Sequence, residues 1–298
     1  MYLCSKRSTP SFYLAWRNRS KAINNRRKKV RKIETVDELK KIELDILLYF
    51  SQFCEKHGLR YFLAYGTLIG AVRHQGFIPW DDDIDIQMPR EDYNKLIELY
   101  EKENTNVRYE LVSPEQKRSR HSIVKIIDNK TVKYENYMKK GDEPLGVDID
   151  IFPVDGLPAN DADYKAWFQE IHKLYLQFLY ACRAPMKGGK FKVNAYIALK
   201  KLITPSKKKI LRKAKALHDK YPYETCEFVG SVETWVEGEE NKLRKEWFEE
   251  SVDLSFEGHT FKAPKAYHEI LTALYGDYMQ LPPEDKRAPH HVNQTYWK

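Results

Sequence analysis

The residues best suited to chemistry form a run of aspartates interrupted by isoleucine. Residues 81–86 read Asp-Asp-Asp-Ile-Asp-Ile. In a β-strand, residues two apart share a face, so Asp83 and Asp85 project together, and Asp81 can join them at the start of the strand. Carboxylates this close raise one another's pKa unless a cation lies between them. Because the isoleucines predict a partly buried strand, where unpaired charge is costly, the pattern favours a Mg²⁺ or Mn²⁺ site over a solvated loop.

A second acid pair repeats this pattern later in the chain. Residues 147–152 read Val-Asp-Ile-Asp-Ile-Phe, which places Asp148 and Asp150 on one face of an apolar strand. A neighbouring strand could bring one of these acids to the same metal ion. The alternative is a pair of edge-strand acids that face water. Asp155, just beyond this segment, is a weaker candidate.

A glycine followed by a small hydroxyl residue, Gly66-Thr67, lies between a strand-like run and the acid cluster. Gly66 lets the backbone approach a ligand closely. The helix expected after it offers free N–H groups and a positive dipole end to a phosphate, and the Thr67 hydroxyl adds a donor. Arg73 and His74, at the far end of this short helix, could pair with a phosphate or a leaving nucleotide. The alternative is a simple strand-to-helix turn.

Together these features indicate phosphoryl-type chemistry. Cations neutralise phosphate oxygens, backbone N–H groups hold the leaving side, and a carboxylate positions or deprotonates the attacking hydroxyl. The sequence has no Walker-type glycine loop and no G-x-G-x-x-G fingerprint, which argues against P-loop and Rossmann enzymes. It also has no G-x-S-x-G elbow and no H-E-x-x-H helix.

The elements that must position these residues follow from the spacing of apolar residues. Thr35 and Glu38 form a capping box ahead of a helix that Gly58 ends. Period-two and aromatic runs predict strands at 59–65, 83–88, 109–112, 122–127, 131–134 and 146–152. Helical spacing predicts helices at 67–73, 89–100, 163–180, 193–203, 207–219 and 265–275, and short β segments at 227–236 and 252–261.

This order of elements predicts an α+β (or α/β-like) fold, with a mixed-sheet core and a mostly helical C-terminal half. We expect a basic N-terminal extension at residues 1–34 and a catalytic core at residues 35–160. Residues 161–298 are expected to form a helical part that completes the same domain.

The net charge of +8 comes from the N-terminus, since residues 1–33 hold 11 Lys and Arg and no Asp or Glu. Such an arm could bind an anionic membrane or nucleic acid, or it could be a solvated extension. Its apolar residues favour the membrane, so no nucleic acid partner is expected. Apolar runs are too short for a transmembrane helix or a signal peptide, and four scattered cysteines fit a reducing compartment. We expect a cytoplasmic protein that could sit at the inner face of the membrane.

Three segments of the sequence, read together, resemble the LicD family, which includes the fukutin-related proteins. The first runs from the glycine turn through the acid cluster, the second holds the second acid pair, and the third lies near the C-terminus. They keep the order of the family's motifs. The matching residues are 66–86, 149–156 and 275–283, followed by Arg287, His290 and His291.

The resemblance implies a nucleotidyltransferase-like fold whose phosphate turn is formed by Gly66 and Thr67. It implies that the catalytic acids are also metal ligands. Separately, the basic residues of the C-terminal loop, which is bounded by prolines, could fold back over the site and bind phosphate or sugar. For that loop an ordinary exposed tail is the alternative. The implied catalytic acids are Asp83, Asp85 and Asp150, the metal ligands are these three with Asp81 (or Asp82) nearby, and the remaining substrate-binding residues are Arg73, His74, Arg287 and His291.

The resemblance also implies an activity. Bacterial members are similar to enzymes that transfer phosphocholine from CDP-choline to teichoic acid, lipopolysaccharide or capsule sugars, and eukaryotic relatives transfer ribitol phosphate from CDP-ribitol. We therefore expect a Mg²⁺- or Mn²⁺-dependent phosphotransferase that uses CDP-choline or another CDP-alcohol and a cell-surface glycan acceptor, which could be lipid-linked. One alternative is a nucleotidyltransferase that attaches a nucleoside monophosphate to a small molecule or protein. Another is a non-catalytic glycan- or membrane-binding module.

Overall fold

The computed structural model describes residues 31–135, 138, 143–182, 191–232, 241–287 and 295–298. The strands of this part of the chain are β1 (Arg31–Lys32), β2 (Phe62–Leu63), β3 (Asp85–Pro89), β4 (Tyr109–Val112), β5 (Val124–Lys133), β6 (Leu145–Leu157), β7 (Phe228–Gly230), β8 (Leu243–Arg244), β9 (Ser251–Phe256), β10 (His259–Pro264) and β11 (Thr295–Trp297). Its α-helices are α1 (Val36–His57), α2 (Tyr65–His74), α3 (Arg90–Glu103), α4 (Asp161–Cys182), α5 (Phe191–Ile203), α6 (Lys207–His218) and α7 (Tyr267–Tyr275).

A mixed sheet forms the core, and its main path runs β1-β11-β5-β6-β3-β2. Strand β4 pairs with β5, and β7 joins β6 to β8. Strands β3 and β6 are parallel, whereas the other described neighbours in this sheet are antiparallel. Strands β9 and β10 form a separate hairpin. The parallel pair matters most for function, because it sets the two acid-bearing strands side by side.

The α+β prediction is confirmed, and the helices after residue 161 lie close to their expected positions. The expected strand at 59–65 is wrong except for β2, because Tyr65 already begins α2 with a φ of 48°. The segments 122–127 and 131–134 belong to one strand, β5, whose register with β6 shifts between Asp128 and Lys133. The β segment expected at 252–261 is present as a hairpin of β9 and β10, turned by Gly258 at a φ of 77°.

Helix α1 packs its apolar face on the sheet, and it begins and ends where the sequence predicts. The Thr35 hydroxyl accepts a hydrogen bond from the Glu38 N–H (3.1 Å), and Gly58 ends the helix at a φ of 62°. The second half of the capping box is wrong. The Glu38 carboxylate does not return to Thr35 but accepts from Arg31 and from Trp297. These two residues belong to β1 and β11, so the helix start is tied to the sheet edge instead.

The two ends of the described chain meet at that sheet edge. Strand β11 lies between β1 and β5, and the sequence pattern did not predict it. Its pairing shows that the C-terminal segment completes the core sheet. None of the described helices combines the length and the apolar character needed to cross a bilayer.

Candidate active site

Asp85 and Asp150 are neighbours on the parallel strands β3 and β6, where they occupy paired positions in the register. The Asp150 N–H donates to the Ile84 carbonyl (2.9 Å), which joins the strands at this point. Asp81, Asp83 and Asp85 are each half-buried. The isoleucines of both strands point to the opposite face and are completely buried there; these are Ile84, Ile86, Ile149 and Ile151. The apolar face therefore orients the acids.

The carboxylates of this acid cluster interact strongly. Burial raises the pKa of Asp85 well above its usual range, and repulsion from Asp83, Asp150 and Asp81 raises it further against the opposing effect of Lys125. Burial, with repulsion and a hydrogen bond from Asp83, raises the pKa of Asp81 to about 7. Near neutral pH, the binding of either protons or a cation therefore stabilises the cluster. This is the electrostatic character of a site that receives a metal ion.

Two lysines of β5, which the sequence reading missed, form ion pairs with the second acid pair. Lys125 bonds to both Asp148 and Asp150, and Lys133 bonds to Asp148. Burial raises the pKa of Asp148, but the two lysines more than offset that effect and hold it well below its usual range. Asp148 thus belongs to a buried ion pair, whereas Asp150 is shared between Lys125 and the acid cluster. The available sequence signal was a lysine within an apolar strand.

Glu43 of α1 is a further acid near the cluster that the sequence reading missed. Its side chain is buried, and among the described residues its Oε2 has no hydrogen-bond partner. Burial raises its pKa well above the usual range; Lys133 opposes this shift, while Asp83 and Asp148 add to it. The signal was a glutamate on the apolar stripe of the helix, immediately after Ile42.

The glycine turn lies against the acid cluster, and it forms the first turn of α2. A Cβ built on Gly66 would lie 2.5 Å from Asp81 Oδ2, so only glycine leaves room for this carboxylate. The buried Thr67 hydroxyl accepts from the Asp85 N–H (2.9 Å). The turn therefore touches two of the acids directly, through Asp81 and Asp85.

Three of the basic residues expected to bind substrate, Arg73, His74 and Arg287, come together at the C-terminal end of α2. Arg73 donates to the Tyr278 carbonyl (2.7 Å) and, through Nε, to His74 Nε2 (2.9 Å). Arg287 Cζ lies 5.2 Å from the ring centroid of Trp80, the residue before Asp81. The C-terminal loop thus folds back towards α2, as the sequence suggested.

Burial and mutual repulsion mark these basic groups as one cluster. Burial, followed by the charge of Arg287, lowers the pKa of Arg73. Burial, followed by Arg73 and Lys40, lowers the pKa of His74. A phosphate at this place would relieve the repulsion. His291, the last expected substrate-binding residue, lies outside the described residues, as does His290.

Asp155 lies at the other end of β6, away from the acid cluster. It forms a bidentate ion pair with Arg90 (2.6 and 2.7 Å) and lies 3.2 Å from His218 Nδ1. Burial raises its pKa, but Arg90 and His218 hold it below the usual value. Its role is therefore a structural one.

The expected metal ligands remain a prediction. In the part of the chain that the structure describes, no three Asp, Glu, His or Cys side chains converge closely enough to ligate one ion as they stand. Lys125 contacts Asp150, and the Asp81 carboxylate packs against Gly66. The donor set nevertheless fits a hard divalent ion, because it offers carboxylate oxygens whose raised pKa values reflect uncompensated charge.

Comparison with known proteins shows similarity over most of the chain. Residues 58–193 match the family model described as LicD/FKTN/FKRP, nucleotidyltransferase domain. Shorter matches include an uncharacterized protein of Rickettsia prowazekii, 43% identical over 58 residues that cover 18% of this chain and 22% of that protein. Over 265 residues the chain is 33% identical to the lipopolysaccharide cholinephosphotransferase LicD of Haemophilus influenzae. That alignment covers 88% of this chain and 98% of the Haemophilus protein, and the chain therefore belongs to the LicD family.

Proposed function

We propose that this protein transfers phosphocholine from CDP-choline, or a related substituted phosphate from another CDP-alcohol, to a hydroxyl of a cell-surface glycan. Lipopolysaccharide is the favoured acceptor, since the nearly full-length relative is named a lipopolysaccharide cholinephosphotransferase. Teichoic acid and capsule sugars are acceptors of the same chemical kind. The observation that carries the proposal is the pairing of Asp85 with Asp150 beside a glycine turn.

The acid cluster would hold a Mg²⁺ or Mn²⁺ ion through Asp81, Asp83, Asp85 and Asp150, and such an ion supplies charge neutralisation to the phosphate oxygens. Gly66 and the first turn of α2 receive the donor pyrophosphate, because the N–H groups there point outward from the helix start. The reaction forms a bond between the acceptor oxygen and the β-phosphorus. It breaks the bond from that phosphorus to the bridging oxygen, so CMP leaves.

The remaining groups act on the proton and on the leaving nucleotide. Asp150 serves either as a metal ligand or as the base that takes the proton of the acceptor hydroxyl, while Lys125 holds the Asp150 carboxylate in place. Arg73, His74 and Arg287 face the leaving phosphate and stabilise its charge. Trp80, under Arg287, fixes that guanidinium by cation–π contact.

The test is transfer of labelled phosphocholine from CDP-choline to lipopolysaccharide by the wild type and by Asp85→Asn and Asp150→Asn. Either substitution should lower kcat/KM about 100-fold or more, since several kcal/mol of transition-state stabilisation are removed. Asp163→Asn, an exposed acid on α4, is the matched control and should retain full activity. Wild-type rates in both cluster variants would refute the proposal.

Attachment of a nucleoside monophosphate is the second candidate, because the matching family model is described as a nucleotidyltransferase domain. The two reactions release different products. Phosphocholine transfer from CDP-choline releases CMP, whereas nucleotidyl transfer from CTP releases pyrophosphate. Chromatography of the products made from each donor distinguishes them.

A further inference from the structure

Helix α5 exposes an apolar face. Six of the residues at 194–203 are exposed and all six are apolar: Ala195, Tyr196, Ala198, Leu199, Leu202 and Ile203. At about 100° per residue they occupy one side of the helix, and the half-buried Asn194, Ile197, Lys200 and Lys201 occupy the other. Leu199, Leu202 and Ile203 are 61%, 83% and 73% exposed. A surface helix normally places its apolar side inward, so α5 is inverted.

Packing against the body of the protein holds this face outward. The helix packs on α4, where Tyr196 meets Tyr180 edge-to-face with the ring centroids 6.3 Å apart. The following helix, α6, is fixed by Lys207, whose Nζ donates to the Gln116 and Ser119 carbonyls (2.8 Å each). The contacts that position α5 and α6 therefore leave the exposed leucines facing outward.

Positive charge lies close to the apolar face along the chain. Residues 183–218 contain no Asp or Glu. Lys208, Lys209, Arg212 and Lys213 are exposed on α6, and Lys200 Nζ lies 5.4 Å from the centroid of the Tyr196 ring. Long basic side chains can extend their charge to a polar boundary while their stems cover apolar surface.

Charge complementarity decides what covers this face. A second copy of the chain docked through α5 would bring two sets of lysines together at low separation, which repel. An anionic phospholipid surface offers acyl chains to the leucines and phosphates to the lysines at the same time. We propose that α5 binds flat in the headgroup region of an anionic bilayer, with Leu199, Leu202 and Ile203 inserted and the basic residues of α6 at the phosphates.

Membrane binding through α5 is separate from the basic N-terminal arm, and it does not depend on which group the protein transfers. It would hold the protein at a surface where a lipid-carried acceptor is concentrated.

The test is co-sedimentation of the full chain with vesicles of phosphatidylcholine alone and of phosphatidylcholine mixed with phosphatidylglycerol. The wild type should bind the mixed vesicles and bind less at high salt. Leu199→Asn/Leu202→Asn keeps the net charge but removes the apolar contact, so binding should weaken about tenfold or more. Lys208→Gln/Lys209→Gln should also weaken binding to the mixed vesicles.

Val107→Asn is the matched control, because Val107 is 89% exposed and lies before β4, outside this face. It should bind as the wild type does. The melting temperatures of all variants should match the wild type, since every substituted side chain is exposed. Failure of the wild type to bind mixed vesicles, or equal binding by Leu199→Asn/Leu202→Asn, would overturn the proposal. So would a concentration-dependent dimer that this double variant abolishes without any vesicle binding.

Discussion

The contact between Gly66 and Asp81 links the glycine turn to the acid cluster at the scale of single residues. Gly66→Ala should leave the fold intact, because its Cβ meets only the end of the Asp81 side chain, which can rotate away. Phosphocholine transfer should nevertheless fall, by up to about 100-fold, because the carboxylate is displaced. Steady-state kinetics and a thermal melt measure the two effects. In an Asp81→Asn background the same glycine substitution should add little, and a fully additive loss would contradict the link.

Arg90 and Asp155 form a buried bidentate ion pair away from the acid cluster, in which the Asp155 side chain is only 2% exposed. Arg90→Leu should lower the free energy of unfolding by about 3 kcal/mol, since it leaves a buried carboxylate without its main partner. Arg212→Leu, on the surface of α6, should change it by less than about 0.5 kcal/mol. Urea unfolding at neutral pH measures both.

The pH dependence of that loss follows from the sign of the pKa shift. Arg90 and His218 hold the pKa of Asp155 below its usual value against burial, so the pair stabilises the fold above the unfolded pKa of about 4. That contribution is lost as the pH falls through the folded pKa. The stability difference between wild type and Arg90→Leu should therefore narrow below about pH 4. If the stability difference between wild type and Arg90→Leu instead stays constant or widens below about pH 4, Asp155 is not charged in the folded state.

Sequence reasoning at this scale found the acids but not their partners. Period-two spacing was enough to place Asp83, Asp85 and Asp150 on polar faces. It could not predict Lys125, because the contact with Asp150 crosses from β5 to β6 and depends on the register of two distant segments. Glu43 was missed for a similar reason. The apolar spacing of a helix predicts which residues face inward, but it does not predict which charged groups lie near them.

At the scale of elements, the register of β5 and β6 fixes the positions of Asp148 and Asp150 relative to Lys125. Gly146 lies at the irregular part of this pair, and a Cβ there would lie 2.2 Å from the Asp128 carbonyl oxygen. Because the obstacle is backbone, Gly146→Ala should cost about 1–3 kcal/mol of stability. Gly66→Ala, which meets only a side-chain end, is the control and should cost less than about 1 kcal/mol. Equal melting temperatures for both variants would contradict this account of the strand pair.

Element positions were predicted more accurately than element partners. Strand β4 and the helices α1, α5 and α6 lie where their apolar spacing predicts. The strand at 59–65 failed because its aromatic residues are buried in a connection that pairs with β3 only through Phe62 and Leu63. The parallel order of β3 and β6, which brings the acids together, has no signature in either segment alone.

At the scale of the whole molecule, segments near the C-terminus contact two separate parts of the core. Strand β11 returns to β5 at the sheet edge, and the loop that carries Tyr278 and Arg287 returns to α2. For the second, the sequence offered only a proline-bounded basic loop that could fold back over the site or remain an exposed tail. Strand β11 has three residues, which are too few to show an alternating pattern, so its pairing with β5 could not be predicted. Segments of the C-terminal half thus pair with the core sheet and contact α2.

The most direct test of the central claim is a calorimetric titration with Mn²⁺ of the wild type, Asp85→Asn, Asp150→Asn and Asp163→Asn, without nucleotide. We expect Mn²⁺ to bind the wild type and Asp163→Asn, and binding to weaken as the pH falls below about 7, because the raised pKa of Asp81 lets protons compete with the ion. Binding should be lost in the two cluster variants. No binding to the wild type, or unchanged binding in Asp85→Asn and Asp150→Asn, would contradict a metal site built from the two strands.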